Sequence, residues 1–309
     1  MLRKILLIAN KHAGRGAALK MMQRAKRSIW GYDCDFHLTE SEDDVEKLFN
    51  KTDINEYKAV VCFGGDGTFN TLLKYVMGKS PILIPIPTGS ANDLATEHGI
   101  TESWEDITEA IEENSFKLVD VLTVNAVPFI TAGGIGIGSE LVGEYNSMRE
   151  KSALVATALT RFKSGIYRFL AVKNILSSFK VVRGGAEIHL KGKEKHIELS
   201  SKVIFITNQN NIAGNMKISN DSDTGDGKFE LVIVPNKGRK YILETMNDMY
   251  LGKIRSSVEC YKCESLKLDL SDEMEFYGDG EILSTSRCFE IELIPSAVKL
   301  ISLASGRKK

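Results

Sequence analysis

The sequence predicts an α/β protein with two domains: a doubly wound parallel sheet, followed by a mainly antiparallel, β-sandwich-like domain with a helical insert. The chain has 309 residues, which is twice the length of a domain of about 150 residues. In its first third, near-continuous apolar runs alternate with amphipathic stretches, a pattern typical of a parallel sheet covered on both faces. After about Val124, apolar runs are separated by short turns, which is typical of antiparallel strands.

The first domain is predicted to alternate strands and helices. The expected strands are residues 5–9, 36–38, 59–63 and 82–86. The expected helices are residues 17–29, a segment capped by Ser41 that runs to residue 49, and residues 69–77. Because ligands bind at the carboxyl ends of strands in such sheets, the polar loops that follow these strands are the candidate binding loops.

The second domain is predicted to be built mainly from strands. These are residues 186–190, 202–207, 229–234, 265–270 and 289–294, with a helical insert at about residues 152–179. The predicted domain boundaries are residues 1–123 and 124–296. The sequence leaves open whether the tail, residues 297–309, returns to the first domain through an apolar run at residues 298–303.

Composition and charge exclude several classes of protein. Lys and Arg number 40 and Asp and Glu 41, for a net charge of −1, which disfavours a globally basic nucleic-acid binder. Five scattered cysteines do not form a secreted disulfide framework, so the cytoplasm is the expected compartment. The uncharged stretch at residues 121–139 contains Pro128 and four glycines, which argues against a membrane-spanning helix. No nucleic-acid partner is expected.

Two segments of the chain are strongly basic. The first 32 residues contain eight Lys or Arg and no acid, and residues 149–183 contain eight basic residues and one acid, Glu150. One interpretation is that both are solvated helix faces. The other is a patch that docks on an anionic lipid surface, since a basic amphipathic helix can lie in a membrane interface.

The run Gly64-Gly65-Asp66-Gly67-Thr68 directly follows a predicted buried strand. Glycines permit close approach of the backbone, and the N-terminus of the next helix offers free N–H groups to an anion. An acid in this loop would repel a phosphate unless a cation lay between them, so Asp66 indicates a Mg²⁺-bound nucleotide. The alternative is a tight turn with a capping Asp, which is a poor match to three glycines after a buried strand.

Two further loops follow strands of the same sheet, at residues 10–14 and 89–93. Neither a P-loop nor a dinucleotide Gly-x-Gly-x-x-Gly motif is present, since Leu73 and Ser139 stand where those motifs need glycine. The Cys260-x-x-Cys263 pair lacks a second ligand pair for zinc and is predicted to be a packing feature. The five histidines show no ligand spacing and receive no role.

Four motifs occur in a fixed order along the chain. They are Gly64 to Thr68 with Asn70, then Pro87-x-Gly89-Ser90-x-Asn92-Asp93, then Thr224-Gly225-Asp226-Gly227, and finally Gly278-Asp279-Gly280-Glu281. This order and spacing resembles the bacterial diacylglycerol kinase family of soluble lipid kinases, relatives of sphingosine and ceramide kinases. The resemblance spans nearly the whole chain. It implies that the first domain binds ATP and the second binds a lipid.

The resemblance also implies roles for individual residues. The implied nucleotide-binding residues are Asn10, Lys11, His12, Ala13, Gly14, Thr39, Gly65, Asp66, Gly67, Thr68, Phe69, Asn70, Thr71 and Ser90. The implied catalytic residues are Asp66, Asp279 and Glu281, with Glu281 as the proton acceptor of the family and Asp279 left open as an alternative. The implied Mg²⁺ ligands are an Asp side chain and neighbouring carbonyls, which points to Asp226 with Asp223 and Lys228. The chain departs from the family at Lys11, where Pro is usual, at Thr71, where an acid is common, and at Ser90, where Thr is usual.

The expected function is ATP- and Mg²⁺-dependent phosphorylation of a hydroxyl on a membrane lipid, with diacylglycerol as the preferred substrate and phosphatidic acid as the product. The expected location is the cytoplasm, with peripheral contact to the inner face of the cell membrane. A homodimer is left open. One alternative is an NAD-kinase-like enzyme, which shares the Gly-Gly-Asp-Gly-Thr loop. The other is an inactive nucleotide-binding regulator, which Thr71 leaves open and the intact Asp66, Asp279 and Glu281 argue against.

Overall fold

A computed structural model describes residues 3–11, 17–29, 31–89, 92–151, 181–213 and 216–303, together with residues 170, 172, 173, 175 and 177. The chain divides into two compact units. Unit 1 comprises Met1–Asp120 and Pro295–Lys309, and unit 2 comprises Val121–Ile294. Each unit has its own sheet arrangement and core.

Unit 1 is a parallel sheet with helices, as the sequence predicts. Its strands are β1 (Lys4–Asn10), β2 (Asp33–Thr39), β3 (Tyr57–Gly64) and β4 (Ile82–Pro87), in the spatial order β2-β1-β3-β4. Its helices are α1 (Ala17–Ser28), α2 (Glu42–Lys51), α3 (Asp66–Val76), α4 (Asp93–Glu97) and α5 (Trp104–Glu112), with a 3₁₀ turn at Ile54–Glu56. All three strand pairs are parallel.

Two strands pass from one unit to the other, β5 (Phe116–Val124) and β15 (Glu281–Ile301). The C-terminal end of β15 belongs to unit 1, where Lys299 and Leu300 pair in parallel with Ile82 and Leu83 of β4. Lys299 and Leu300 therefore extend the parallel sheet beyond β4.

The helices of unit 1 pack through one apolar face. Helix α1 buries Ala18, Met22 and Ala25. Its charged side chains Lys20, Arg24, Lys26 and Arg27 are exposed. Over α1, the basic residues of this segment therefore form an exposed helix face. Both interpretations of the segment, a solvated face and a patch that docks on a lipid surface, require such exposure.

The prediction for α3 was wrong at its N-terminus, because the helix begins at Asp66 and not at residue 69. Gly65 is the N-cap residue and is extended, with φ −101° and ψ −171°. Asp66, Gly67 and Thr68 are therefore the first helical turn and not a loop. Strand β2 is also longer than predicted, since its seven residues pair in register with β1 although its sequence is largely polar.

Unit 2 is mainly antiparallel, as predicted. Its other strands are β6 (Val127–Phe129), β7 (Ala132–Gly136), β8 (Val182–Leu190), β9 (Lys193–Thr207), β10 (Asn211–Ile212), β11 (Met216–Lys217), β12 (Phe229–Pro235), β13 (Glu259–Cys263) and β14 (Ser265–Gly278). The main ladder runs β13-β12-β9-β7-β14-β15, and β8 pairs with both β9 and β14. Among the described residues of this unit, helices with assigned bounds are α6 (Ile137–Lys151) and α7 (Arg239–Tyr250).

The core of unit 2 consists of two clusters on opposite faces of the strands. Ile204 and Ile206 of β9 belong to one cluster, whereas Val203 and Phe205 belong to the other. Successive strand residues point to opposite faces, so this alternation assigns one cluster to each face. The first cluster packs strand against strand, and the second includes apolar residues of α6 and α7 such as Met246.

Two expectations concern segments of special composition. The uncharged stretch 121–139 forms the end of β5, then β6, β7 and the start of α6. Within the described residues, no helix is long and apolar enough to cross a membrane. The helical insert predicted at residues 152–179 lies almost entirely outside the described residues.

Candidate active site

The carboxyl ends of the unit 1 strands bring several predicted nucleotide residues to one edge of the sheet. Asn10 ends β1 and is the Cα partner of Thr39, which ends β2. The Lys11 N–H donates to the Thr39 carbonyl at 2.9 Å. At the neighbouring strand ends, the Thr88 N–H donates to the Gly64 carbonyl at 3.2 Å. The predicted residues His12, Ala13, Gly14 and Ser90 lie outside the described residues.

Two glycines allow the loop after β3 and the loop after β4 to touch. A Cβ placed on Gly89 would lie 2.4 Å from the Gly65 Cα, and one on Gly65 would lie 3.0 Å from the Gly89 Cα. Only glycine fits at position 89, because the obstructing atom is backbone. A Cβ on Gly64 would lie 2.4 Å from the Thr68 Cβ, so glycine is also needed where β3 turns into α3.

The N-terminus of α3 is a suitable place for a phosphate group. The helix has 11 residues, and Gly65 provides no side-chain cap for its first N–H groups. Such N–H groups and the positive end of the helix dipole attract anions. Thr88 Oγ1, beside this loop pair in sequence, is buried and has no hydrogen-bond partner in the described part of the chain. The glycine pair, the uncapped N–H groups and this hydroxyl fit a bound triphosphate.

The carboxylate of Asp66 connects α3 to the loop after β4. It accepts the Asn92 N–H at 3.0 Å and the Asp93 N–H at 2.8 Å, which lie at the start of α4. The Asn92 amide in turn accepts the Gly89 N–H at 2.8 Å and donates to the Gly89 carbonyl at 3.0 Å. Backbone N–H groups thus stabilise the charge of Asp66. The structure therefore does not require the Mg²⁺ ion that the sequence argument placed beside this acid.

Other predicted nucleotide-binding residues are buried or form contacts within the protein. Phe69 is 5% exposed and packs in the core of unit 1, so its side chain is not presented to a ligand. The Thr71 hydroxyl donates to the Gly67 carbonyl at 3.1 Å within α3.

Lys11 forms an exposed ion pair with Glu40 at 2.7 Å. Thr39 is buried, and its hydroxyl donates to the Ala9 carbonyl at 3.5 Å. Asn70 and Thr68 are half-buried on α3.

In unit 2, the motif Gly278-Asp279-Gly280-Glu281 is the turn that joins β14 to β15. Gly278 and Glu281 are Cα partners across the two strands. Asp279 and Gly280 have positive φ values of 50° and 83°, the backbone of a type I′ hairpin turn. The motif is therefore a β-turn, and its aspartate has an additional role.

Asp279 is 7% exposed, and its carboxylate accepts three hydrogen bonds. The Ile130 N–H and the Thr131 N–H each donate at 2.9 Å, and the Thr131 hydroxyl donates at 2.5 Å. These bonds hold the turn against the segment between β6 and β7. Both carboxylate oxygens of Asp279 are thus engaged by the protein itself.

Glu281 is the first residue of β15 and is half-buried. It follows Gly280, whose carbonyl accepts the Asn146 amide at 3.5 Å. Of the two acidic residues in this turn, Glu281 is the more accessible.

The predicted Mg²⁺ residues lie in the turn before β12. Asp223 accepts the Gly225 N–H at 3.1 Å, and Asp226 accepts the Lys228 N–H at 3.0 Å. The second oxygen of Asp226 lies 3.5 Å from the Lys228 ammonium and 3.8 Å from the Lys262 ammonium. Oxygen donors suit Mg²⁺, but two lysines already neutralise Asp226, so this turn fits the ion only if the ammonium groups move away.

Comparison with known proteins agrees with this arrangement. The family model described as "Diacylglycerol kinase catalytic domain" matches residues 4–124, and the model described as "YegS C-terminal NAD kinase beta sandwich-like domain" matches residues 150–302. A protein named "Diacylglycerol kinase" from Bacillus subtilis is 25% identical over 289 residues, which is 91% of this chain and 90% of that protein. The chain belongs to the bacterial diacylglycerol kinase family of lipid kinases.

Further relatives in this lipid kinase family match over most of their length. A protein named "Probable lipid kinase YegS-like" from Alcanivorax borkumensis is 23% identical over 283 residues, 87% of each chain. The crystal structure of a diacylglycerol kinase from Bacillus anthracis has a TM-score of 0.75 at 21% identity and covers 97% of both chains. That likeness establishes the fold.

Some residues that shape the candidate site were not assigned by sequence. Asn92 belongs to the second of the four motifs. Its Gly-x-x-Asn spacing could have predicted that the Asn92 side chain binds the backbone of Gly89. Thr131 and Lys262 carry no local signal, because their partners Asp279 and Asp226 are distant in sequence. Only the folded chain brings them together.

Proposed function

We propose that this protein is an ATP- and Mg²⁺-dependent lipid kinase that converts diacylglycerol into phosphatidic acid. The observation that carries the proposal is the contact between the loops after β3 and β4, in which Asp66 binds the N-terminus of α4 while Gly65 approaches Gly89. The substrate is supported by the printed name of the Bacillus subtilis relative, "Diacylglycerol kinase".

Unit 1 would hold the nucleotide mainly through its backbone. Phosphoryl transfer depends on positioning and on stabilising charge around the transferred group. The uncapped N–H groups at the start of α3 are already oriented, because the backbone contact of Gly65 and the hydrogen bonds of the Asp66 carboxylate hold both loops in place. Bound Mg²⁺ would supply charge neutralisation on the phosphates.

Unit 2 would supply the proton acceptor. We assign this role to Glu281, because Asp279 is buried and its oxygens are engaged by Ile130 and Thr131. As the lipid hydroxyl oxygen bonds to the γ-phosphorus, the bond from that phosphorus to the β,γ-bridging oxygen breaks, and the hydroxyl proton passes to Glu281. Asp279 is a positioning residue that fixes the turn on which Glu281 lies.

Membrane contact is proposed for the exposed basic face of α1, formed by Lys20, Arg24, Lys26 and Arg27. A lipid kinase must reach its substrate at the bilayer, and each Lys or Arg near an anionic surface contributes about 1 kcal/mol of attraction. Flotation with anionic vesicles should recover the wild type and lose the double variant Lys20→Glu/Arg24→Glu. Equal recovery of both would exclude α1 as the contact.

The decisive experiment measures transfer of radiolabelled γ-phosphate from Mg·ATP to diacylglycerol in mixed micelles. We expect labelled phosphatidic acid from the wild type and a loss of about 100-fold or more in kcat for Glu281→Gln. Glu273→Gln, an exposed glutamate of β14, is the matched control and should retain full activity.

The same assay separates the alternatives. NAD is included as a second acceptor, because the family description of unit 2 names an NAD kinase sandwich. Label on NAD but not on lipid would contradict the proposal and identify an NAD-kinase-like enzyme. ATP binding by the folded wild type with no labelled acceptor would identify a nucleotide-binding regulator.

A further inference from the structure

The β-hairpin formed by β8 and β9 carries two histidines and two glutamates outside the residues assigned to the kinase reaction. Glu187 and His189 lie on β8, and Glu194 and His196 lie on β9. Glu187 is the Cα partner of His196, and His189 is the partner of Glu194. Since cross-strand partners and residues two apart on a strand share a face, all four side chains lie on one face of the hairpin.

The backbone of the hairpin places these side chains close together. Lys191 and Gly192 connect the strands with φ values of 51° and 68°, as in the type I′ turn that sets the register. The His189 carbonyl accepts the Glu264 N–H at 2.8 Å, so this peptide group faces β14 and not β9. Both His–Glu pairs are therefore non-hydrogen-bonded pairs, in which the Cα atoms are about 4.5 Å apart and the side chains are closest.

The ligand atoms already lie near the spacing of a metal site. The distance from His189 Nε2 to Glu187 Oε1 is 3.1 Å, and that from His196 Nε2 to Glu194 Oε1 is 2.5 Å. Ligand atoms of Glu187, Glu194 and His196 lie within 4.8 Å of one another. In a tetrahedral site with metal–ligand bonds of about 2.0–2.1 Å, neighbouring ligand atoms are about 3.3 Å apart. His189 contacts Glu187 but does not lie within 4.8 Å of all three ligand atoms, so its side chain would have to turn for the four groups to share one ion.

We propose that Glu187, His189, Glu194 and His196 form a binding site for a divalent ion of the zinc class, which links the two strands of the hairpin. Imidazole and carboxylate together suit Zn²⁺ or Cu²⁺, whereas Mg²⁺ and Ca²⁺ prefer oxygen donors alone. All four residues are half-buried or exposed, so an ion can enter from solvent. Lys267, the partner of Glu187 on β14, is an exposed neighbouring cation whose flexible side chain can turn to water.

The test is an equilibrium titration of the tag-free, full-length chain with Zn²⁺ in competition with a chromophoric chelator. We expect the wild type to bind one Zn²⁺ per chain and the double variant His189→Gln/His196→Gln to bind it at least about tenfold more weakly. His37→Gln, a half-buried histidine of β2, is the control and should bind as the wild type does. Equal affinity of the double variant, or no binding by the wild type, would overturn the proposal.

A second measurement identifies the ligands. The electron paramagnetic resonance spectrum of Cu²⁺ bound to the wild type should show coupling to two imidazole nitrogens, and the double variant should lose it. Retention of that coupling would place the ion elsewhere. Circular dichroism and thermal unfolding of the metal-free proteins confirm that the surface substitutions leave the fold intact. None of these readouts depends on kinase activity.

Discussion

The carboxylate of Asp66, at the start of α3, accepts the backbone N–H of Asp93, at the start of α4, at 2.8 Å. Its other oxygen accepts the Asn92 N–H at 3.0 Å. Because the two helices follow neighbouring strands of the parallel sheet, this one side chain holds both candidate nucleotide loops in place.

Asp66→Ala should lower the free energy of unfolding by about 3 kcal/mol, because two N–H groups lose a charged acceptor. Asp66→Asn, which keeps one acceptor oxygen, should lower it by about half as much. Urea denaturation measures both changes. Asp43→Asn, an exposed acid in the first turn of α2, is the control. If Asp66→Ala lowered the free energy of unfolding no more than this control does, the hydrogen bonds of Asp66 would not stabilise the protein.

Gly89→Ala should separate the two loops, since the new Cβ would lie 2.4 Å from the Gly65 Cα. We expect a loss of about 2 kcal/mol of stability from the forced backbone shift. The value of kcat/KM for ATP should fall by about 100-fold through misplacement of the phosphate-binding groups. Thermal unfolding and steady-state kinetics give the two values. Gly185→Ala should be neutral, because a Cβ there meets nothing within 4 Å.

Asp279 and Glu281 should respond differently to substitution, although they are two residues apart. Thr131→Val should destabilise the protein by about 1.5 kcal/mol, because it removes one of the three bonds to the Asp279 carboxylate. Asp279→Asn should lower kcat without moving the acid limb of the pH–rate profile, and Glu281→Gln should abolish that limb. An unchanged limb in Glu281→Gln would assign the proton acceptor to another group.

Glu230 should make stability depend on pH. It is 2% exposed, accepts a hydrogen bond from the Ser222 hydroxyl and lies 3.8 Å from the Lys262 ammonium. Burial is the main effect and raises its pKa above the ordinary value of 4.5. The folded state therefore holds this proton more tightly than the unfolded state, and stability is lost as the pH rises from 4.5 through the folded pKa.

Glu230→Gln should remove that loss, so its free energy of unfolding should decline less than that of the wild type between pH 4.5 and 8. Urea denaturation across this range provides the comparison. Glu292→Gln, an exposed glutamate of β15, should keep the slope of the wild type. A wild-type slope in Glu230→Gln would contradict the assignment.

Hydrophobic periodicity predicted the parallel sheet of unit 1 well, because buried strands such as β3 contain a continuous apolar run, residues 59–63. It predicted β2 only in part. That strand lies at the sheet edge, where polar residues such as Asp33 and His37 are tolerated because backbone pairing with β1 decides the conformation.

In the candidate site, too, the sequence predicts some features and leaves others undecided. Glycine spacing identified the loops of Gly65 and Gly89, since close backbone approach restricts the residues that fit. The segment of Asp279 was identified only as a motif of the resemblance. Sequence could not distinguish a ligand-binding acid from one that binds backbone. Phe69 was grouped with the binding residues by position in a motif, although its side chain is in the core.

The sequence by itself determined the fold class and the loops where chemistry is concentrated, because these depend on local periodicity and on backbone constraints that leave a residue signature. The lipid kinase family was indicated by the resemblance of its four ordered motifs. Only the tertiary structure decided what each acid does. Asp66 meets Asp93 and Asp279 meets Thr131 across separations of 27 and 148 residues. Hydrogen bonds over such separations depend on how the strands are ordered and paired, which no local pattern encodes.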